Sequence, residues 1–143
     1  MPLALSVHQS LAMTALYNEI RERFPEIHCR IYDGDEKLPY MLMGHLAEWL
    51  GSLPLAELTP HITKRLVSFC TWCEQQPRGE QAGDDLLTIL MVGLYEKIFQ
   101  FDSTRTLLPK LMSRKDLAGN AEYYRKWVGE ANYKSALKKY NAG

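Results

Sequence analysis

The chain has 143 residues, 46% of them hydrophobic and 24% charged, and its 17 Lys and Arg balance 17 Asp and Glu to a formal net charge of zero. A neutral chain with 10% aromatics is neither a uniformly basic nucleic-acid binder nor a disordered, charge-rich tail. A domain of this size buries roughly 68–70% of the surface its unfolded chain exposes, so the sequence predicts one domain over residues 1–143 that holds a core without disulfides, metal or cofactor.

The start, Met1 to Ser10, carries no basic n-region and no long apolar stretch, and no later segment reaches the ~20 apolar residues of a membrane span. A cytoplasmic location follows as the expectation, with Cys29, Cys70 and Cys73 reduced.

Helical periodicity begins with Met13, Leu16, Tyr17, Ile20 and Phe24, and Glu19 and Arg23 sit four residues apart on the outer side. Pro25 stops this helix, and the alternation in Ile27 to Tyr32 reads as a short extended piece before the acidic turn Asp33-Gly34-Asp35-Glu36. Pro39 suits a first helical position, Leu42, Leu46, Trp49 and Leu50 form the stripe of a second helix, and Gly51 is placed to end it. Thr59-Pro60 opens a third helix with Ile62, Leu66, Phe69, Cys70 and Cys73 inward.

Asp84 or Asp85 then caps a helix running to about Phe101 whose polar positions, Asp85, Gly93, Glu96 and Gln100, fall on one narrow face. Such a helix is packed on several sides and belongs at the centre. A shorter segment with Leu107, Leu108 and Leu111 follows. Ser113-Arg114-Lys115-Asp116 reads as a capping box that opens a helix through Trp127 to Gly129. Residues 130–143 form a basic, frayed final segment. The predicted fold class is all-α, one compact domain of about six helices around a central hydrophobic helix.

Few residues suggest chemistry. Cys70-Thr71-Trp72-Cys73 has the spacing of a redox motif but lies inside a helix, on its apolar face, so both thiols read as core. His28 and Cys29 would complete four zinc ligands only if the fold brought them close. Asp33 to Lys37 begins like a calcium loop without its later ligands, and His8, His28, His45 and His61 lack metal-binding spacing. With no phosphate loop, nucleophile elbow or paired carboxylates, the expectation is a protein that is not an enzyme and has no metal site.

Charge is unevenly spread. Residues 1–103 hold 8 Lys and Arg against 14 Asp and Glu, whereas residues 104–143 hold 9 against 3. The acidic residues Asp33, Asp35, Glu36, Glu80, Asp84 and Asp85 are therefore the expected partner-binding surface, suited to steering a basic protein. The basic end, with Arg125, Lys126, Trp127, Lys134, Lys138 and Lys139, suits single-stranded nucleic acid only if its aromatics face outward, and Tyr123, Tyr124 and Trp127 read instead as core anchors.

The order of Arg23-Phe24-Pro25-Glu26, Leu38-Pro39-Tyr40-Met41-Leu42, Trp49-Leu50, Leu66 to Cys70, Leu90 to Glu96, Leu107 to Leu111 and a late Trp127 resembles a family of small all-helical bacterial proteins of unassigned biochemistry. That family recurs among candidate immunity proteins of polymorphic toxin systems. The resemblance covers two thirds of the chain; the pair of Cys70 and Cys73 has no counterpart in it, and everything after Gly129 falls outside it. It implies an immunity protein, or antitoxin, that binds a cognate toxin domain and blocks its active site in interbacterial competition. A protein partner is then expected, with no membrane, nucleic acid or small-molecule ligand. The rival is a helical adaptor or RNA-binding module using the basic C-terminal end.

Overall fold

The structure, a computed structural model, describes residues 7–81 and 85–141. Helix α1 (Val7–Arg23) buries Leu16 and Ile20, and Phe24 follows them into the core. The chain then turns in a 3-10 helix, Pro25–Arg30, not in an extended piece as its alternation suggests. A lone strand would leave its backbone groups unpaired, whereas the tight turn bonds Ile27 N–H to the Phe24 carbonyl at 3.2 Å and buries Ile27. Arg65 clamps this turn from outside, donating to the Arg23 carbonyl at 2.7 Å and to Glu26 Oε1 at 2.9 Å.

Helix α2 (Pro39–Ser52) starts on its proline and is the most deeply buried, with Leu42 through Ala47 all inside. Gly51 does not end it. A Cβ there would lie 2.7 Å from the Phe101 ring, so this glycine permits close approach. Helix α3 (Pro60–Gln75) is capped by Thr59, whose side-chain oxygen accepts from Ile62 N–H, and it turns Leu66, Phe69, Cys70 and Cys73 inward. Phe24 joins α1, α2 and α3, meeting Phe69 edge-on at 5.7 Å and Trp49 at 6.1 Å.

The central helix is one continuous rod in three parts: α4 (Leu86–Ile89), a π-helical turn (Leu90–Tyr95) and α5 (Glu96–Ile98). It packs mainly on α2, where Gly93 admits the Met43 side chain; a Cβ on Gly93 would sit 2.8 Å from Met43 Cβ. The C-terminal third wraps one end of this rod with α6 (Leu108–Leu111), α7 (Arg114–Gly119), α8 (Ala121–Val128) and α9 (Glu130–Asn141).

Nine α-helices are therefore counted among the described residues, against about six expected. The difference arises at three breaks. The π turn divides the rod, Asn120 leaves helical geometry at φ −113° and ψ 20°, and Gly129 separates α8 from α9 with φ 91°. The final helix is not a frayed segment. It buries Tyr133 and Ala136, and the Tyr140 hydroxyl lies 3.1 Å from the Leu108 carbonyl and 3.0 Å from that of Met112. A single hydrophobic cluster extends from Leu16 to Ala136. No strand occurs among the described residues, and none of their helices is long and apolar enough to cross a membrane.

Candidate functional site

The acidic residues expected to face a partner divide into two groups. Asp33 and Glu80 are exposed, and Glu36 is half-buried with a carboxylate oxygen 2.9 Å from Gly34 N. Asp35 and Asp85 are buried and engaged within the chain, which removes them from the predicted surface. Asp84 lies outside the described residues.

Asp35 accepts from Tyr32 N–H at 3.0 Å and from His45 Nε2 at 2.9 Å. The Tyr32 amide foremost, and then His45, hold its carboxyl below the usual aspartate range. Asp85 accepts from the Arg78 guanidinium, from Gly79 N–H and from the Thr88 hydroxyl. Sequence reasoning places both aspartates outside because their loops are polar. A buried carboxylate, however, persists wherever enough donors converge on it.

The Asp35–His45 pair ties the 32–38 segment onto α2, and three apolar side chains project from that junction among the exposed Asp33 and Lys37. Tyr32 is 72% exposed, Leu38 49% and Met41 48%. Asp33, Glu36 and Lys37 lie between Tyr32 and Leu38 in the chain. This apolar cluster beside carboxylates is the surface the sequence reading missed. Its signal was present in hydrophobic residues on both sides of a Gly-containing acidic turn, whose Gly34 takes φ 96°.

At the basic end, Tyr124 is a core residue as expected and Tyr123 is half-buried, its hydroxyl donating to Glu96 at 2.9 Å. Trp127 is not a core anchor: it is 58% exposed, with the Lys126 ammonium 5.3 Å from its ring centre. Two of the neighbouring cations share one carboxylate, with Glu130 3.2 Å from Arg125 and 3.7 Å from Lys134.

Cys70 and Cys73 are buried in α3, whereas Cys29 is exposed. Burial pushes the Cys70 thiol up to about 12 and Cys73 higher still, which disfavours the thiolate needed for redox or metal chemistry. His28 faces outward with Nε2 3.2 Å from the Arg21 carbonyl. Among the described residues, no three His, Cys, Asp or Glu side chains are grouped so as to hold a metal ion. The side chain of His8 lies outside the description, and His61 is exposed.

Set beside known protein families, characterised proteins and solved structures, the chain matches none.

Proposed function

We propose that this chain is an immunity protein that binds a toxin domain and covers the toxin's active site. The observation that carries the reading is the exposure of Tyr32, Leu38 and Met41, near Asp33 and Glu36 in sequence, where the Asp35–His45 pair anchors the 32–38 segment on α2. An exposed aromatic with neighbouring aliphatics, held on a packed support, is the arrangement from which tight interfaces draw most of their affinity. Carboxylates at its edge favour a partner with a basic rim, as on enzymes that act on nucleic acids or nucleotides. Inhibition by coverage needs no catalytic residue in this chain.

The test is co-expression with the toxin domain encoded beside its gene. The two chains are expected to co-purify and the cells to survive, and Tyr32→Ala with Met41→Ala is expected to release the toxin. Survival of cells that express the toxin domain alone, or failure of the two chains to associate, overturns the reading.

A second reading is favoured by Trp127, an exposed aromatic flanked by Lys126 in the basic third of the chain. It is a helical RNA-binding module that stacks a base on this ring. Single-stranded oligouridylate should then bind at low salt, lose affinity steeply as salt rises, and fail to bind the Trp127→Ala variant. Deleting α9 is the wrong test, because Tyr133 and Ala136 belong to the core. No binding at low salt ends this alternative.

A further inference from the structure

Between α3, the central rod and the α6–α7 corner lies a groove of about 550 Å³. Its volume falls within the roughly 300–1,000 Å³ of small-ligand sites. Tyr95, Met112 and Tyr124, all buried, form its inner surface, and Met91 adds a second thioether. Glu74 from α3 and Asp116 from α7 stand at its exposed edge.

Two of the polar groups here are carboxylate acceptors, Glu74 and Asp116. The Tyr95 hydroxyl donates to Glu74 Oε1 at 3.0 Å and orients that carboxylate from inside. Asp116 has its backbone tied down, its N–H on Ser113 Oγ at 3.0 Å and its carbonyl on Asn120 Nδ2 at 2.9 Å, while its carboxylate has no ion pair among the described residues. Tyr124 is only 2% exposed, its ring fixed 4.6 Å from Phe99 and 5.4 Å from Tyr123. Among the described residues its hydroxyl has no hydrogen-bond partner, yet it is not among the sealed, unsatisfied atoms, and Tyr124 lines the groove.

Lys110 contributes one positive charge to the edge, which leaves two carboxylates against one ammonium. The π turn supplies both Met91 and Tyr95, in keeping with the frequent placement of such turns at functional sites.

We infer that this groove binds an organic cation, an alkylammonium or alkylguanidinium group on an apolar stem. The stem lies on Met91, Met112 and Tyr95, and the charged head is shared by Glu74, Asp116 and the unpartnered Tyr124 hydroxyl. No residue of the Tyr32 cluster takes part, so the site stands apart from the toxin-binding proposal.

Two probes test it: 1,5-diaminopentane as a free amine and N-acetyl-arginine N-methylamide as a protein side chain, each titrated into the full chain and followed by NMR and calorimetry. Saturable one-to-one binding is expected, with the Tyr95, Met91 and Tyr124 resonances moving. The tighter of the two probes identifies the source of the cation. Glu74→Gln with Asp116→Asn should weaken binding about tenfold or more, as the loss of charge-assisted hydrogen bonds implies. Tyr124→Phe should weaken it several-fold without lowering the melting temperature, and Lys110→Met should strengthen it. Absence of saturable binding, an equal loss in the remote Asp33→Asn and Glu36→Gln pair, or weaker binding in Lys110→Met overturns the inference.

Discussion

Arg78 and Asp85 clasp the two ends of the loop that leads into the central rod, with Nε 2.9 Å from Oδ1 and a terminal guanidinium nitrogen 2.8 Å from Oδ2. Asp85 also accepts from Gly79 N–H at 3.1 Å and from the Thr88 hydroxyl at 2.6 Å. One buried carboxylate thus fixes the loop to the first turn of α4. Replacing it with Ala leaves the Arg78, Gly79 and Thr88 donors without this acceptor, and a loss of roughly 1–3 kcal/mol in urea unfolding at neutral pH is expected.

The pH dependence of that difference has a definite sign. Arg78 foremost, then Thr88 and Gly79, outweigh burial and hold the Asp85 carboxyl well below the usual aspartate range. The unfolded chain therefore takes up this proton first as pH falls. The gap between wild type and Asp85→Ala should stay constant from neutral pH down to about 4, the ordinary aspartate range, and narrow below it. A gap unchanged at still lower pH would show that the ion pair contributes nothing.

Gly93 and Gly44 make opposite predictions although both lie at the contact between α2 and the rod. A methyl group on Gly93 would meet Met43 Cβ at 2.8 Å, an atom fixed to the backbone of α2. On Gly44 it would meet only the Lys97 ammonium at 3.3 Å, the movable end of a long side chain. Gly93→Ala should lower stability by about 1–3 kcal/mol through overpacking, less up to ~1 kcal/mol gained in helix propensity. Gly44→Ala should be neutral or stabilising, and thermal unfolding of the two variants side by side checks both.

The thiols offer a third measurement. Cys29 is exposed, while Cys70 and Cys73 are buried and shifted upward by that burial. A thiol reagent should therefore modify one cysteine promptly in the native chain and all three only after unfolding. Because the folded state keeps these two protons at pH values where an unfolded thiol, with a pKa of about 8.5, releases them, stability should fall as pH rises above that value. Fast native modification of Cys70 or Cys73 would mean that α3 opens locally.

Core positions were readable from the sequence because helical burial repeats every three to four residues. Leu16, Ile20 and Phe24, the α2 stripe and Leu66-Phe69-Cys70-Cys73 all lie where that period puts them. The Thr59 and Ser113 caps were readable as well, since each depends on a side chain three residues from its target. Long-range pairing left no local signal. Asp35 is buried because His45 lies ten residues away on a packed helix, and Asp85 because Arg78 folds back across the loop. Trp127 was misplaced for a related reason. Tyr124 and Val128 fill the inner face of the short α8, and the intervening Trp127 is left outside. The groove was illegible altogether, as its residues come from five segments that only the fold unites.

Arg105 carries the last prediction, because it attaches the C-terminal helix to the end of the rod. Its guanidinium donates to the Phe99 carbonyl at 2.6 Å, to Asn132 Oδ1 at 2.5 Å and to Ser135 Oγ at 3.3 Å, with Asp102 at 3.1 Å. Charge-assisted bonds of this kind contribute on the order of 1.5–3 kcal/mol each when fully formed, so Arg105→Ala should be clearly destabilising. Its effect should also be local. Amide exchange in α9 is expected to accelerate far more than in α2, since Tyr133 and Ala136 lose the support that holds them against the core. Substituting the exposed Lys138 on the same helix should leave both rates unchanged. Equal acceleration of α2 and α9 in Arg105→Ala would mean that α9 unfolds only with the whole domain.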